Sequence, residues 1–458
     1  MALRYILLIG SILLYLFSPI SENTYYILCA FVIFIIDAYL LVNENVRNRD
    51  FFSFNIIFSI AFFLTSYCFP VFILNNDVLH DAFVELSTMS IGYIDFSYIT
   101  KATSLCSVAY AIYVVAYKND QIYSSAESFQ TNLHSYRGKI RMFLNIGFFA
   151  EMANIIFTVR GGSRDFNINP FIYDIFPVLY CISLLSCSNV VEKNKGVIAF
   201  WHANRLPLIY ATIVMLTFLF FGERGNAITL GLITLSYYSF YYKRMRIYSI
   251  LIIGLLGVVL LFSIRETRNK DYSMATGGIS SFSSASKDAI SGLSPILMFS
   301  DLIGATQELC YGYETTYKDG LSYPSQIVIL PFYPIPKMPS IVSNLIYDKE
   351  PGDLYGGSIL NAKMSKSFES CFGSHIVIDI FMRWGLVGVL IAFFIFGRIV
   401  SFFMRNKYNY AFPAVVFLLI MGMSLYIARS SITDLIRPIS YAYFFLYLTN
   451  KRLVKRYR

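Results

Sequence analysis

Residues 208–221 read LIYATIVMLTFLFF and residues 249–262 read SILIIGLLGVVLLF, and neither stretch contains a charged residue. Similar apolar runs occupy residues 6–17 and 25–36, and each can be extended to the roughly 20 residues that a helix needs to cross a bilayer. The chain of 458 residues is 56% hydrophobic and only 14% charged, against about 25% charge in soluble domains. Because the runs are continuous rather than alternating, they predict an all-α, polytopic membrane protein and not a β-barrel.

The apolar runs predict about twelve transmembrane helices. The expected spans are 5–21, 24–42, 51–73, 102–117, 142–159, 171–188, 206–221, 227–242, 247–264, 376–397, 411–427 and 438–450. The first run begins just after Arg4 and no small-residue cleavage site follows it, so we expect a retained first helix and not a signal peptide.

The distribution of basic residues predicts the orientation of these spans. When the basic tail 451–458 is placed in the cytoplasm, most other basic residues of the short connections fall on the same side. We therefore expect an inner-membrane protein with both termini in the cytoplasm and an even number of spans. The net charge of +9 is explained by basic residues that flank spans beside anionic lipid, and nucleic acid is not an expected partner.

One long connection interrupts the short ones. Residues 265–375 are expected to form a periplasmic loop of about 110 residues, which separates an N-terminal bundle (1–264) from C-terminal helices and a tail (376–458). The loop contains a helix-like segment at 294–309 and a proline cluster at 331–339. Loops of this length usually have a function. The chain shows no internal repeat, which argues against a carrier.

The cysteines give no sign of a cofactor. Cys310 and Cys371 lie in the long loop, where a periplasmic location would allow either a disulfide or two free thiols. No Cys/His cluster has zinc spacing, no Walker-type loop occurs and no Asp-x-Asp pair lies in an outer segment. We expect neither a metal ion nor another cofactor.

Arginines on the predicted outer side run against the usual distribution of charge and need an explanation. The guanidinium group has a permanent charge and a planar fork that matches phosphate oxygens, so converging arginines favour a pyrophosphate ligand. The alternative is that they extend to lipid headgroups or pair with Glu223, Glu266 and Asp434. The candidate arginines are Arg224, Arg265, Arg268, Arg429 and Arg437.

Acidic residues and one histidine are the second feature of the predicted outer side. Asp379 and Arg383 are spaced i, i+4, which fits either an internal ion pair or a carboxylate that accepts a proton from a hydroxyl. His375, one turn earlier, is a rival base because histidine ordinarily titrates near neutrality. Asp37 and Glu151 lie within spans, where an ionisable residue is a candidate for function by default. Because neither is near the predicted outer surface, we expect both to make buried structural hydrogen bonds.

Four segments of the chain resemble the O-antigen polymerases (Wzy), the bacterial oligosaccharide repeat-unit polymerases. Residues 221–227 (FGERGNA) are similar to that family's short arginine turn, and residues 334–337 (PIPK) to its proline-lysine stretch. Residues 373–388 (GSHIVIDIFMRWGLVG) resemble the exit from the family's large loop. Residues 428–438 resemble the arginine pair in its last outer turn.

This resemblance implies a GT-C-like bundle that carries out an inverting, metal-independent glycosyl transfer at the periplasmic face. The growing glycan leaves undecaprenyl pyrophosphate and joins a hydroxyl of the next lipid-linked repeat unit. Expected partners are these lipid-linked oligosaccharides, membrane lipid and a polysaccharide chain-length regulator. The resemblance assigns the pyrophosphates to Arg224, Arg265 and Arg429, with Arg437 and Arg268 in support. It assigns the base to Asp379 first and His375 second.

Two alternatives remain open from the sequence. An O-antigen ligase has the same layout but uses a lipid A–core acceptor, so purified acceptors of each kind would separate the two activities. A transporter for lipid-linked oligosaccharides belongs to a different class. It would be expected to have short loops throughout and charged residues along a central cavity, which the loop at 265–375 and the outer arginines argue against.

Overall fold

The computed structural model describes residues 2–47, 51–74, 76, 96–118, 133–160, 170–187, 197–220, 224–255, 257, 300–322, 329–335, 337–349, 360, 374–451 and 453. Every regular element in this part of the chain is helical. The helices are α1 (Ala2–Phe17), α2 (Thr24–Arg47), α3 (Phe54–Ser66), α4 (Ile99–Ala116), α5 (Arg137–Arg160), α6 (Pro170–Cys187), α7 (Val197–Ala203), α8 (Arg205–Phe220), α9 (Arg224–Tyr237), α10 (Ser300–Ile303), α11 (Ala305–Asp319), α12 (Met338–Tyr347), α13 (Ile376–Asn406), α14 (Ala411–Met423) and α15 (Ile436–Thr449).

The first group of helices surrounds α4, which contacts α1, α2, α11 and α13. Almost every residue of α4 is buried, polar ones such as Thr103 and Ser107 included. The approach to α13 is close, because a β-carbon on Gly397 would lie 2.8 Å from the carbonyl oxygen of Tyr113. Small residues at such contacts let apolar helices pack without a larger hydrophobic driving force.

The second group surrounds α14, which contacts α6, α9 and α15. The run from Ala411 to Gly422 is buried except at Phe412, so this helix lies in the middle of the group. A β-carbon on Gly422 would lie 2.7 Å from Cγ1 of Ile233 on α9. Because α13 contacts both α4 and α14, it joins the two groups into one bundle.

One end of the bundle, called here the Asp379 end, collects the end of α1 and the start of α2, α4 and α13. The Lys101 ammonium donates to the carbonyl oxygen of Tyr15 at 2.7 Å. The Thr306 hydroxyl donates to the carbonyl oxygen of Thr65 at 2.7 Å, which fixes α11 against the end of α3. The first turns of α6, α9 and α15 lie at the same end, since an ion pair joins α15 to α6.

The opposite end is called the Arg4 end. The Arg4 guanidinium donates to the carbonyl oxygens of Val114 and Tyr117 at 3.3 and 3.2 Å, beside the end of α4. The Lys118 amide donates to the Ser401 hydroxyl at 3.2 Å, near the end of α13. The basic residues Lys118, Lys139, Lys243 and Lys407 therefore share one end of the bundle with Arg4.

Several helices are suited to a membrane. In the described part of the chain, Thr24–Asn43, Phe96–Ala116 and Ile376–Asn406 are long and apolar enough to cross one. A fourth crossing results if α7 and α8, which meet at an angle of 93°, are counted together. The other apolar helices are shorter, for example Ala411–Met423. The prediction of an all-helical protein compatible with a membrane is thus confirmed.

Two predicted spans are not continuous helices. The expected span 51–73 ends as an α-helix at Ser66 and continues as a π-helical turn, Phe69–Ile73, because Pro70 lacks the amide that an α-helix would use. The expected span 376–397 continues to Asn406 but bends at Gly385, where φ is +61°. The Ser322 amide and hydroxyl both donate to the freed carbonyl oxygen of Met382, at 2.7 and 2.9 Å.

Part of the predicted loop is inside the bundle. Within the described residues, the expected helix at 294–309 is divided between α10 (Ser300–Ile303) and α11 (Ala305–Asp319), and the prediction that it ends at residue 309 was wrong. Its continuation is stabilised by packing: a β-carbon on Gly312 would lie 2.5 Å from Cγ1 of Ile378, and the Tyr313 ring stacks on Phe381. This polar helix therefore stands beside α13 at the Asp379 end.

Candidate functional site

The predicted pair of Asp379 and Arg383 is present and buried. The Arg383 guanidinium donates to Oδ1 of Asp379 at 2.9 Å, and both side chains are almost inaccessible to solvent. The Ser431 hydroxyl donates to Oδ2 of the same carboxylate at 2.7 Å. Both oxygens of the Asp379 carboxylate are therefore engaged by partners within the fold.

Ser431 also organises the turn between α14 and α15. Its side chain accepts from the Thr433 amide, and the Asp434 carboxylate accepts from the Ser431 amide at 3.3 Å, which together form a capping box. Burial and the neighbouring Asp379 charge raise the pKa of Asp434 to about 7. The turn therefore holds a carboxyl group that titrates near neutrality beside the buried ion pair.

Arg437 connects three parts of the chain. Its guanidinium donates to Oδ2 of Asp174 on α6 at 2.9 Å and to the carbonyl oxygen of Tyr333 at 3.3 Å. The same group lies 5.5 Å from the centre of the Tyr333 ring. These contacts show that Arg437 fixes the segment around Tyr333 to the bundle, and its role in pyrophosphate binding stays a prediction. Its ion pair with Asp174 was not expected from the sequence, which offered Glu223, Glu266 and Asp434 as acidic partners of the outer arginines.

Arg224 and Arg429 lie at the same end. Arg224 is the first residue of α9, and a β-carbon on Gly225 would be 3.9 Å from the Tyr426 ring. Arg429 ends the 3-10 turn that follows Tyr426, and this turn packs against α3 and α13. The partly buried Arg429 side chain has no hydrogen bond or ion pair within the described residues. A guanidinium in this position is available to an anion.

His375 was predicted to titrate near neutrality, and that prediction is wrong. The side chain is fully buried, and burial lowers the pKa of His375 to about 3. Its Nδ1 accepts from the Val377 amide at 3.3 Å as the cap of α13, so Nε2 carries the proton and lies 3.1 Å from the Ser66 hydroxyl. In this arrangement neither nitrogen is free to act as a base.

The prediction of buried structural hydrogen bonds for Asp37 and Glu151 is also wrong. Both side chains are buried, but none of their carboxylate oxygens has a hydrogen-bond partner in the described part of the chain. Glu151 lines a cavity of about 80 Å³ together with Asp174, Asn226 and Pro438. Glu151 is on α5, whereas Asp174, Asn226 and Pro438 lie near the starts of α6, α9 and α15, so the cavity lies towards the Asp379 end. It has room for a few water molecules.

Two residues of the site were not predicted from the sequence. Asp174 lies inside a predicted span, and an ionisable residue in such a span is a candidate for function by default, so the signal was present. Ser431 gave no signal, because one serine in a turn is unremarkable. Arg265, Arg268 and Cys371 lie outside the described residues, so their predicted roles and the Cys310 disulfide stay predictions.

The geometry defines a class of protein: a helical, membrane-compatible bundle with ionisable residues gathered at one end. Among the described residues, no group of three His, Cys, Asp or Glu side chains could hold a metal ion. The chain matches no family model, no curated protein and no solved structure.

Proposed function

We propose that the protein is a repeat-unit polysaccharide polymerase of the bacterial inner membrane. In this proposal a growing glycan is transferred from undecaprenyl pyrophosphate to a hydroxyl of the next lipid-linked repeat unit. The observation that carries it is the gathering of Arg224, Arg429 and Asp379, which come from distant parts of the chain, at one end of an apolar bundle. The resemblance of four segments to O-antigen polymerases supports the same conclusion.

The proposed topology has about twelve transmembrane helices, both termini in the cytoplasm and the Asp379 end in the periplasm. Support comes from the basic residues at the opposite end, where Arg4, Lys118, Lys139 and Lys407 lie near the helix ends. Basic residues prefer the cytoplasmic side of inner-membrane proteins. The Asp379 end is then the side on which lipid-linked units are joined.

The leaving group determines the proposed role of the arginines. When the acceptor oxygen bonds to the anomeric carbon, the bond to the pyrophosphate breaks and its electron pair leaves with the phosphate oxygen. Fixed guanidinium groups stabilise that developing charge without rearrangement. Arg429 is the best placed, since its side chain has no competing partner in the described residues. Arg224 lies on the neighbouring element, whereas Arg437 serves mainly to position the Tyr333 segment.

The acceptor hydroxyl must also lose a proton. Asp379 was the first candidate, but its two oxygens are occupied by Arg383 and Ser431. Glu151 is better placed among the described carboxylates, because both of its oxygens are without hydrogen-bond partners and it lines a cavity. The cavity is too small for a sugar ring, so we propose that the proton reaches Glu151 through a water molecule.

The test is the length distribution of surface polysaccharide in cells that express the variants at equal levels. Loss of one donor to a developing oxyanion typically costs about 10²–10³ in rate, so Arg429→Ala should reduce the ladder to single repeat units. Arg246→Ala, an exposed arginine at the Arg4 end, is the matched control and should give the full ladder. A full ladder from Arg429→Ala contradicts the pyrophosphate role.

The variants Glu151→Gln and Asp379→Asn distinguish the roles of the two carboxylates. We expect Glu151→Gln to lose polymer while keeping the thermal stability of the wild type, because glutamine preserves the shape of the side chain. Asp379→Asn should lose stability as well, since it removes the partner of a buried arginine. A normal ladder from Glu151→Gln rules it out as the proton acceptor.

The alternative activities are tested with the purified protein. Donor and acceptor lipid-linked units should yield polymer, whereas a lipid A–core acceptor should yield none. Product on lipid A–core identifies a ligase instead. Movement of a fluorescent lipid-linked glycan across vesicles, without polymer formation, identifies a transporter.

A further inference from the structure

A larger cavity lies at the Arg4 end, remote from the ionisable residues at the Asp379 end. It has a volume of about 390 Å³ and is formed by the start of α5, the end of α6 and the junction of α7 with α8. Three arginines line it, Arg137, Arg141 and Arg205, together with His202. Arg137 and Arg141 are one helical turn apart, so both side chains extend from the same face of α5.

The charge around this cavity is not balanced by the residues that form it. None of the lining residues that the structure describes is acidic. The three guanidinium groups are exposed and make no hydrogen bond or ion pair with the described part of the chain. Repulsion between like charges in one concave site is unfavourable unless an anion is bound there.

Helix termini of both polarities line the cavity. Arg137 and Arg205 are the first residues of α5 and α8, and neither helix has an acidic residue in its first turn. The N-terminus of each helix carries about half a positive charge. The C-termini of α6 and α7, at Cys187 and Ala203, line the same cavity and contribute negative charge of similar size. The site is therefore electropositive because of its three guanidinium groups.

The walls of the cavity are held in place by buried hydrogen bonds. The Asn204 side chain, at the bend between α7 and α8, donates to the Phe200 carbonyl at 2.9 Å and to the Tyr242 hydroxyl at 3.1 Å. The Tyr237 hydroxyl donates to the carbonyl oxygen of Leu184 on α6 at 2.6 Å. These bonds fix the junction that carries Arg205 relative to α6. The site is thus formed before a ligand arrives.

The surroundings favour a lipid over a free ion. Helix α7 meets α8 at 93°, so it lies along the membrane surface if α8 crosses the membrane. Its apolar side chains Val197, Ile198 and Trp201 are exposed, as in helices that rest in the headgroup region. Apolar residues, Leu206 and Ile209 among them, complete the lining. A ligand with a phosphate group and an apolar body matches both the arginines and the apolar residues of the cavity.

We propose that this cavity binds the phosphate of a membrane phospholipid headgroup, with Arg137, Arg141 and Arg205 as its ligands. The arginine forks would donate to the phosphate oxygens, and the acyl chains would lie beside α7. This proposal does not depend on the polymerase function, because it concerns the other end of the bundle.

The test measures the thermal stability of the full-length protein in detergent with and without added lipid, since a ligand of the folded state raises the unfolding temperature. Phosphatidylglycerol should stabilise the wild type, and diacylglycerol with the same acyl chains should not. In the triple variant Arg137→Ala, Arg141→Ala, Arg205→Ala the apparent affinity should fall by at least about tenfold. Lys243→Ala, Arg244→Ala, Arg246→Ala removes the same charge at the same end and should keep the affinity.

Three results would overturn the proposal. Equal stabilisation of the wild type and the cavity variant by phosphatidylglycerol removes the arginines as ligands. Equal effects of phosphatidylglycerol and diacylglycerol remove the phosphate. Stabilisation by millimolar inorganic phosphate but not by the phospholipid identifies a site for free phosphate. If the triple variant fails to fold, native mass spectrometry of the wild type decides, because a bound phospholipid supports the proposal and the lipid-free protein contradicts it.

Discussion

At the Asp379 end, Arg383 and Arg437 each face a carboxylate. At the Arg4 end, Arg137, Arg141 and Arg205 surround a cavity that is lined by no acidic residue of the described part of the chain. The first two arginines connect elements of the fold. The other three make no hydrogen bond or ion pair with the described residues and lie exposed in the first turns of α5 and α8. The same residue type therefore stabilises the fold in the first pair and is available to a ligand in these three.

Burial explains this difference. A guanidinium group that is removed from water needs a partner, because an isolated buried charge is very unfavourable. An exposed guanidinium keeps its hydration and can exchange it for a phosphate. Arg429 is intermediate, since it is partly buried and yet has no partner among the described residues. This makes Arg429 the arginine at the Asp379 end that most resembles those at the Arg4 end.

The largest change in the unfolding free energy is expected when the buried ion pair of Asp379 and Arg383 is broken. Arg383→Met removes the cationic partner of the buried Asp379 carboxylate and leaves the bond from the Ser431 hydroxyl in place, so the unfolding free energy should fall by about 3–5 kcal/mol. Thermal unfolding in detergent, followed by tryptophan fluorescence, measures this. The control is the double variant Asp379→Leu, Arg383→Met, which should recover most of the loss because no charge remains buried. A double variant as unstable as the single one contradicts the explanation.

The second prediction concerns the pH dependence of stability. The folded pKa of Asp434 is about 7, above the ordinary value of 3.8. Between these values the unfolded chain loses the proton while the folded protein retains it, so the Asp434 contribution falls as pH rises from about 4 to 7. Asp434→Asn should remove this fall and raise stability at pH 8 by about 1–2 kcal/mol, a value reduced for partial exposure.

The measurement is the difference between the unfolding temperatures of the wild type and Asp434→Asn from pH 4 to 8. His375 acts in the opposite direction: its folded pKa of about 3 lies below 6.5, so its contribution is lost as pH falls through that interval. The histidine is present in both proteins, so the difference isolates Asp434. A difference that is constant with pH would show that Asp434 does not titrate in this range.

Loss of the ion pair between Asp174 and Arg437 is expected to lower the unfolding free energy less. Asp174→Ala removes an ion pair whose side chains remain partly accessible, and Arg437 keeps its bond to the Tyr333 carbonyl. The expected loss is about 1 kcal/mol, with faster tryptic cleavage after the exposed Lys337 as the Tyr333 segment loosens. Glu22→Ala, an exposed acid at the same end, should change neither. Unchanged cleavage in Asp174→Ala would show that the ion pair does not hold the segment.

The sequence predicted what is local. Continuous apolar runs indicated the helices, and the i, i+4 spacing indicated the Asp379–Arg383 pair. Contacts between distant segments could not be predicted. Asp174 and Arg437 are far apart in the chain and meet only because α6 packs on α15. The position of α11 inside the bundle depends likewise on the fit between Gly312 and Ile378.

At the candidate site, the presence of ionisable residues in the sequence was also not enough to predict how each of them behaves. The apolar surroundings of His375 are contributed by separate helices, with Phe62 of α3 packed against its ring, so its low pKa has no local signal. Glu151 was expected to make structural hydrogen bonds because it is not near the predicted outer surface. The structure instead opens a cavity beside it, lined from α6, α9 and α15. The sequence identified the candidate arginines by their residue type and by their predicted side of the membrane. Only the fold shows that Arg437 binds other segments of the chain whereas Arg429 is available to a ligand.

The smallest change in the unfolding free energy is expected at the Arg4 end. The sign of this change is the sharpest test of the difference between the arginines at the two ends. Arg141 is exposed and has no bond to the described chain, so Arg141→Gln should not destabilise the protein. In lipid-free detergent at low salt it should raise the unfolding free energy by a few tenths of a kcal/mol, at most about 0.5, because it relieves repulsion from Arg137 and Arg205. This gain should disappear in about 1 M salt, where the Debye length is near 3 Å. With phosphatidylglycerol added the sign should reverse, because the variant loses a ligand for the phosphate. A loss of stability in the absence of lipid would mean that Arg141 supports the fold as Arg383 does, and the two ends would not differ in the way inferred.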